Sequence, residues 1–97
     1  MKHSIVFAGD TTRQFMTNYR RDTTFHATIQ NNTDQSITIT VSNLSSNRGE
    51  TPIYDTPAGG ALTIASGAMG QCTEPYAEWL LTAAAAATGT VDIVEAG

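Results

Sequence analysis

The sequence predicts an all-β fold, a small antiparallel β-sandwich or jelly roll with a partly irregular N-terminal arm. Three observations carry that expectation. From Thr28 to Val41, Ile29, Ile37, Ile39 and Val41 alternate with Thr38, Thr40 and other small polar residues, which is the period of a half-buried strand and not of a helix. Short apolar runs recur with Gly, Pro, Asn, Asp and Ser clusters between them, the punctuation of an antiparallel sheet. Finally, 97 residues with 40% hydrophobic content fit one small domain, and a chain of that size buries only about 60 to 65 per cent of its unfolded surface. Doubling or closing the sheet buries one face of every strand.

Taken in order, a short strand is expected over 4–7, broken by Ala8-Gly9-Asp10-Thr11-Thr12. Residues 1–22 form the arm and 23–97 the β domain. Within the arm, Phe15, Met16 and Tyr19 fall at helical spacing, but the segment is short and its ends are weakly marked, so 13–22 reads as irregular. From Thr23 to Gln30, Phe25, Ala27 and Ile29 oppose Thr24, His26 and Thr28 across a strand. Asn31 to Gln35 then supplies turn residues, and Ser36 to Leu44 is the returning strand of an antiparallel hairpin. Ser45 to Glu50 is a polar loop. Pro52-Ile53-Tyr54 reads as a short edge strand, since proline lacks a ladder donor. Pro57 to Gly60 is a tight turn, Leu62 to Ile64 a strand closed by Ser66-Gly67, and Thr90 to Glu95 the last strand.

The segment from Thr73 to Gly89 supports two readings. As a helix it has Thr73 as N-cap, Pro75 in the first turn, alanines at 83–87 and Gly89 as terminator. As a strand over 77–83, it sets Trp79 and Leu81 opposite Leu80 and Thr82, followed by an alanine-rich turn into the final strand. Propensity favours the helix. The strand is preferred because the final strand needs a partner, and tertiary context overrides propensity.

Only 14% of residues are charged, against about 25% in soluble domains. Much of the surface is therefore Thr, Ser, Asn and Ala, a face that is readily desolvated against other subunits. The first 21 residues carry +3 and the remainder −7, giving the net −4. A basic arm ahead of an acidic body can dock on a neighbour's acidic face, the alternative being a solvated, partly ordered terminus; for the docking reading, Arg13, Phe15, Tyr19, Arg20 and Arg21 are the expected partner-binding residues. The acidic body argues against nucleic acid.

The residues give little support to catalysis. Cys72 is the single cysteine, which excludes an internal disulfide and a multi-cysteine metal site, and reads as a small buried hydrophobe. His3 and His26 have no cysteine or carboxylate at metal-ligand spacing and read as solvated. His26 with Asp22 or Asp34 lacks a nucleophile elbow. Glu74 and Glu78 read as solvated acids, and Gly59, Gly60, Gly67 and Gly70 as turn residues with no phosphate-loop signature. No enzyme activity, cofactor or metal is expected. Trp79 reads as the centre of a small core ahead of a stacking platform shared with Tyr76. The apolar run Ile5 to Ala8 is too short for a signal-peptide core and no stretch reaches transmembrane length, so synthesis in a cytoplasm without membrane attachment is expected. Asn31-Asn32-Thr33 and Asn43-Leu44-Ser45 then match the glycosylation pattern by chance.

The C-terminal third resembles small virion proteins of tailed bacteriophages in its order of parts. A Gly-containing turn and short strand (57–67) lead to the Pro-aromatic step and Trp-bearing segment (74–83), and an Ala/Thr-rich stretch leads to the closing Val/Ile strand (89–94). The resemblance implies a β-sandwich that decorates or cements a capsid, with the major capsid protein or other virion subunits as partners and a dimeric or trimeric state. It implies location in the virion after synthesis in the host cytoplasm, and it carries over no functional residue. The alternatives are a carbohydrate- or receptor-binding module using Trp79, Tyr76 and Tyr54, and a small inhibitor of a host enzyme.

Overall fold

The longest element is a 19-residue strand, Glu78–Ala96, and every other part of the sheet is placed by it. In a computed structural model describing residues 2–16, 26–72 and 76–96, the strands are β1 (Lys2–Met16), β2 (His26–Thr33), β3 (Ile37–Ser42), β4 (Leu62–Ile64), β5 (Met69–Cys72) and β6 (Glu78–Ala96). One 3-10 turn, Ser46–Arg48, interrupts them; Ser45 caps it by accepting from the Asn47 amide, and Gly49 ends it at φ 76°.

All pairings are antiparallel. On one side of β6 runs β1, with Lys2 opposite Val94 at one end and Met16 opposite Glu78 at the other. On the other side, β2 covers 89–96 and β3 covers 78–83. Outside these, β5 pairs with β2 and β4 with β3. Thus β2 and β3 are two halves of one path running in the same direction, and β5 and β4 form a second such path. The molecule is one antiparallel sheet, four paths wide, folded double across its middle.

The crease is built from surplus residues and local bonds. Between its two pairings β6 spends residues 84–88 where the β2–β3 path spends only 34–36, so β6 bulges outward with Ala84, Ala85 and Ala86 exposed at the elbow. Bulges of this kind bend a strand and sharpen its twist. β1 shifts register at the same level, around Asp10, beside Gly9 at φ 86°. Gly89 sits at φ 121°, and a Cβ there would lie 2.4 Å from the Asn32 carbonyl oxygen, so only glycine lets the two backbones meet.

Inside the bend, the buried amide of Asn31 acts as the fastener. Its Nδ2 donates to the carbonyls of Gln35 and Ile64, each at 2.8 Å, and its Oδ1 accepts from the Thr33 amide at 3.0 Å and hydroxyl at 2.7 Å. At the rim, the Asp34 carboxylate accepts from the Thr88 amide at 2.9 Å. That bond is the main reason its carboxyl sits below the usual aspartate range, against a smaller opposing effect of burial.

Folding the sheet double brings its two inner faces together. Ile37, Ile39, Val41, Trp79 and Leu81 line one face, and Phe7, Ile29, Val91 and Ile93 the other, all buried. Each fully buried Ile, Leu or Phe contributes about 1.5–3 kcal/mol, which is how so short a chain builds a core without a disulfide. Phe15 meets Trp79 edge-on at 5.4 Å between ring centroids and His3 at 4.9 Å. His3 and Phe15 belong to opposite ends of β1, so their contact closes the fold.

The all-β expectation holds, and several details differ. The strand expected over 4–7 extends from Lys2 to Met16 because β6 offers a partner along that whole length; positions 17–22 of the expected arm lie outside the described residues. Positions 23–25 of the expected strand lie outside the described residues; 26–30 and 36–44 do not form a hairpin, since Asn31 to Gln35 kinks the chain without reversing it. The alanine-rich turn is absent, and 77–83 does not pair with the last strand but continues into it. Around 52–54 there is a single bridge, Val41 to Asp55, in place of an edge strand. The expected turns at 57–60 and 66–67 are present, the first closed by the Gly60 amide on the Pro57 carbonyl at 2.9 Å. Cys72 is buried, as expected.

Candidate functional site

Of the residues expected to bind a partner, Arg13 and Phe15 fall within the described residues; Tyr19, Arg20 and Arg21 lie outside them. Arg13 is exposed on β1, opposite Leu81. Phe15 is not a surface contact: it is 5% exposed and packs on Trp79 and His3. Alternation along β1 explains this, since Phe15 shares the inner face with Trp79 while Gln14 and Met16 take the outer one.

At this end of β1, Thr12, Arg13, Gln14, Met16 and Leu80 line an open groove of about 420 Å³. Beneath its far end lies a polar cluster that the sequence did not reveal. Glu78 is fully buried although it occupies the outer side of β6, because the loop carrying Ser46 and Tyr54 folds over it. Its Oε1 accepts from the Ser46 hydroxyl at 2.8 Å and amide at 3.1 Å, and its Oε2 accepts from the Tyr54 hydroxyl. Gln14 donates to the Tyr54 oxygen at 3.2 Å, linking β1 to the cluster.

The cluster is electrostatically consistent. Burial alone would raise the Glu78 carboxyl, but donation from Tyr54 and Ser46 together outweighs it and the group lies below its ordinary value. Tyr54 is pushed up to about 12, first by burial and then by its bond to the Glu78 carboxylate, with Gln14 acting in the opposite direction. A carboxylate held this way, with its oxygens committed to a loop, is a structural clamp and has no proton poised near neutrality for acid–base work. The expectation that Glu78 is solvated is therefore corrected, and Glu74 lies outside the described residues.

The remaining candidates are placed as follows. Trp79 is fully buried, so it is core and offers no stacking surface. The Tyr76 hydroxyl accepts from the Ala58 amide at 2.8 Å, away from the Tyr54–Glu78 cluster. His3 is packed against Phe15 with Nε2 3.0 Å from Glu95 Oε2, where a solvated ring was expected; His26's side chain is outside the described set. Among the described residues no group of three or more His, Cys, Asp or Glu is placed to hold a metal, and no helix is long and apolar enough to cross a membrane. Asn31, in the first glycosylation pattern, is fully buried and engaged through both amide atoms.

What the surface offers is an edge strand and outer faces that are poor in charge. β1, 15 residues long, pairs with β6 alone among the described strands, so no described strand lies along its other side. The outer faces carry rows of Thr, Ser, Gln and Asn; the row Thr12, Thr82, Thr38, Thr63 crosses all four paths in register. Comparison of the chain with protein-family models, with curated proteins and with solved structures gave no match.

Proposed function

We propose that this protein is a non-catalytic structural subunit of a phage particle that binds the capsid surface, as decoration or cement proteins do, and acts as a homo-oligomer. The observation that carries the reading is the combination of a long edge strand, with no described strand along its outer side, and charge-poor outer faces. Strand edges bind other chains through main-chain hydrogen bonds, and Thr/Ser/Asn/Gln faces lose less on desolvation than charged ones. Repeated weak contacts by an oligomer on a repeated lattice add up through avidity. Binding only the assembled shell would stabilise that shell by linkage.

The principal described polar cluster, around Glu78, serves the fold, which leaves contact with other macromolecules as the use best suited to the surface. The carbohydrate-binding alternative loses its platform, because Trp79 is in the core and the Tyr54 hydroxyl is committed to Glu78. Co-sedimentation of the purified chain with empty capsids, together with mass spectrometry of purified virions, tests the proposal. Saturable binding at a fixed copy number per capsid is expected. Absence of the chain from virions and no pelleting with capsids would end it.

A further inference from the structure

The hydrogen bonds of the inner strands determine which main-chain groups of β1 face outward. Asn31 donates its amide to the Ala68 carbonyl at 3.0 Å and accepts from the Gly67 amide at 2.7 Å, so its main chain points away from β6. In an antiparallel ladder such orientations alternate residue by residue. Gln30 and Asn32 therefore face β6, their partners Asp92 and Thr90 face β2, and the intervening Val91 and Ile93 face β1 at Ile5 and His3. The N–H and C=O groups of Lys2, Ser4 and Val6 consequently point outward, with no strand beside them among the described residues. Ala8 belongs to the same set, and its amide is already taken by Asp10 Oδ2 at 2.9 Å, which ends the open run.

We infer that β1 pairs with β1 of a second copy of this chain, antiparallel across a two-fold axis at Ser4, through the open main-chain groups of Lys2, Ser4 and Val6. The run is symmetric about Ser4, so Lys2 meets Val6 of the second copy, Ser4 meets Ser4, and Val6 meets Lys2; all three amides and all three carbonyls of each copy are then used. An isologous contact of this kind closes at two subunits. The side chains agree. Val6 and Val94, respectively 53% and 46% exposed, flank the seam, and the aliphatic stem of each Lys2 would lie over Val6 of the other copy. The row through the axis reads Asp92, Ser4, Ser4, Asp92, with one Lys2 on either side of it, so the seam is charge-balanced. Asp92 is oriented along it by the Ser4 hydroxyl at 2.6 Å and Asn32 Nδ2 at 3.0 Å. This inference rests on the homo-oligomeric half of the proposed function and not on the capsid half; a dimer that ignored capsids would leave it intact.

The test is sedimentation equilibrium of the full chain from micromolar to millimolar concentration, combined with amide hydrogen exchange. A dimer is expected whose Ser4 and Val6 amides become protected as concentration rises. Val6→Pro removes an outward amide and no bond to β6, and should halve the mass while leaving the circular dichroism unchanged. Val6→Lys, which sets a second cation beside Lys2, should do the same if the proline variant fails to fold. A chain that stays monomeric at millimolar concentration overturns the inference, as does a trimer, a folded variant that still dimerises, or a dimer whose Ser4 and Val6 amides exchange as fast as those of loops. Protection of those amides only on adding capsid protein would assign the edge to the capsid and also overturn it.

Discussion

Glu78 is a charged side chain with zero exposure on what the strand pattern makes the solvent side of β6. The alternation of Trp79 and Leu81 sends Glu78 and Leu80 outward, and nothing in that pattern announces that a loop 30 residues earlier will cover the carboxylate. This residue was illegible because its burial is made by Ser46 and Tyr54, which read as a polar loop residue and an edge-strand aromatic with no tie to Glu78. Glu78→Gln keeps the shape but weakens the acceptor of three donors, and charged hydrogen bonds contribute about 1.5–3 kcal/mol; a loss of about 2 kcal/mol in urea unfolding at neutral pH is expected. The sign with pH follows from the depressed carboxyl: its stabilisation is complete above the unfolded value of 4.5 and is lost as pH falls through the lower folded value. The wild-type advantage over Glu78→Gln should therefore shrink in that acid range. Tyr54 shifts the other way, so its contribution is present below the unfolded value of 10.0 and disappears as pH rises through about 12. In Glu78→Gln, Tyr54 should titrate lower yet still above 10.0 by NMR, because burial, the larger cause, remains. Gly89 offers a second single-residue test. Its φ of 121° and a virtual Cβ 2.4 Å from the Asn32 carbonyl make Gly89→Ala cost about 3 kcal/mol in unfolding free energy, whereas Gly59→Ala, with open space around it, should be near neutral.

The strands themselves were legible where alternation was strong, as in Ile37-Thr38-Ile39-Thr40-Val41, and β5 was not, because Met69-Gly70-Gln71-Cys72 is short and contains a glycine. A Cβ at Gly70 would lie 2.8 Å from the Ile64 side chain, so Ile64 would have to shift to admit one. What local pattern could not give was connectivity. Asn31-Asn32-Thr33-Asp34-Gln35 has the composition of a reverse turn, and composition does not distinguish a chain that reverses from one that kinks and continues. The decision is made by β6, which is long enough to pair with β2 and β3 in sequence, and by Asn31, whose amide bonds across the kink to Gln35 and Ile64 instead of closing a hairpin. Asn31→Ala would leave the buried Ile64 carbonyl, the half-buried Gln35 carbonyl and the Thr33 amide without this partner. The expected cost is about 3 kcal/mol, read from thermal unfolding, with exchange protection lost first at the crease amides of Gly67 and Ala84, which donate to the Asn31 and Ser36 carbonyls.

At the scale of the whole molecule, a folded sheet differs from a domain carrying an arm in what each segment contributes to stability. Charge suggested that the basic N-terminus could be detached from an acidic body, and deletion of 1–22 would then leave a folded core. The structure makes β1 a full member of both layers: it lies along nearly the whole of β6, supplies Phe7 and Phe15 to the core, and bonds Gln14 to the Tyr54 cluster. Charge could not report this because Lys2 and Arg13 are exposed on a strand that also carries the buried Phe7 and Phe15. Removing 1–22 would expose Val91, Ile93, Trp79 and Leu81 along β6 and strip half its hydrogen bonds, turning the central strand into an apolar edge. Two fully buried phenylalanine side chains alone represent about 3–6 kcal/mol, a large share of the 5–15 kcal/mol that holds a domain of this size together. The truncated chain is therefore expected to be unfolded or aggregated, with collapsed amide dispersion in NMR. Adding a separate peptide of residues 1–16 should restore the native spectrum, as a missing strand returned to its groove. A truncated chain that remained monomeric with wild-type dispersion would show that β6 does not need β1, and that the sheet's second layer is held by β2 to β5 alone.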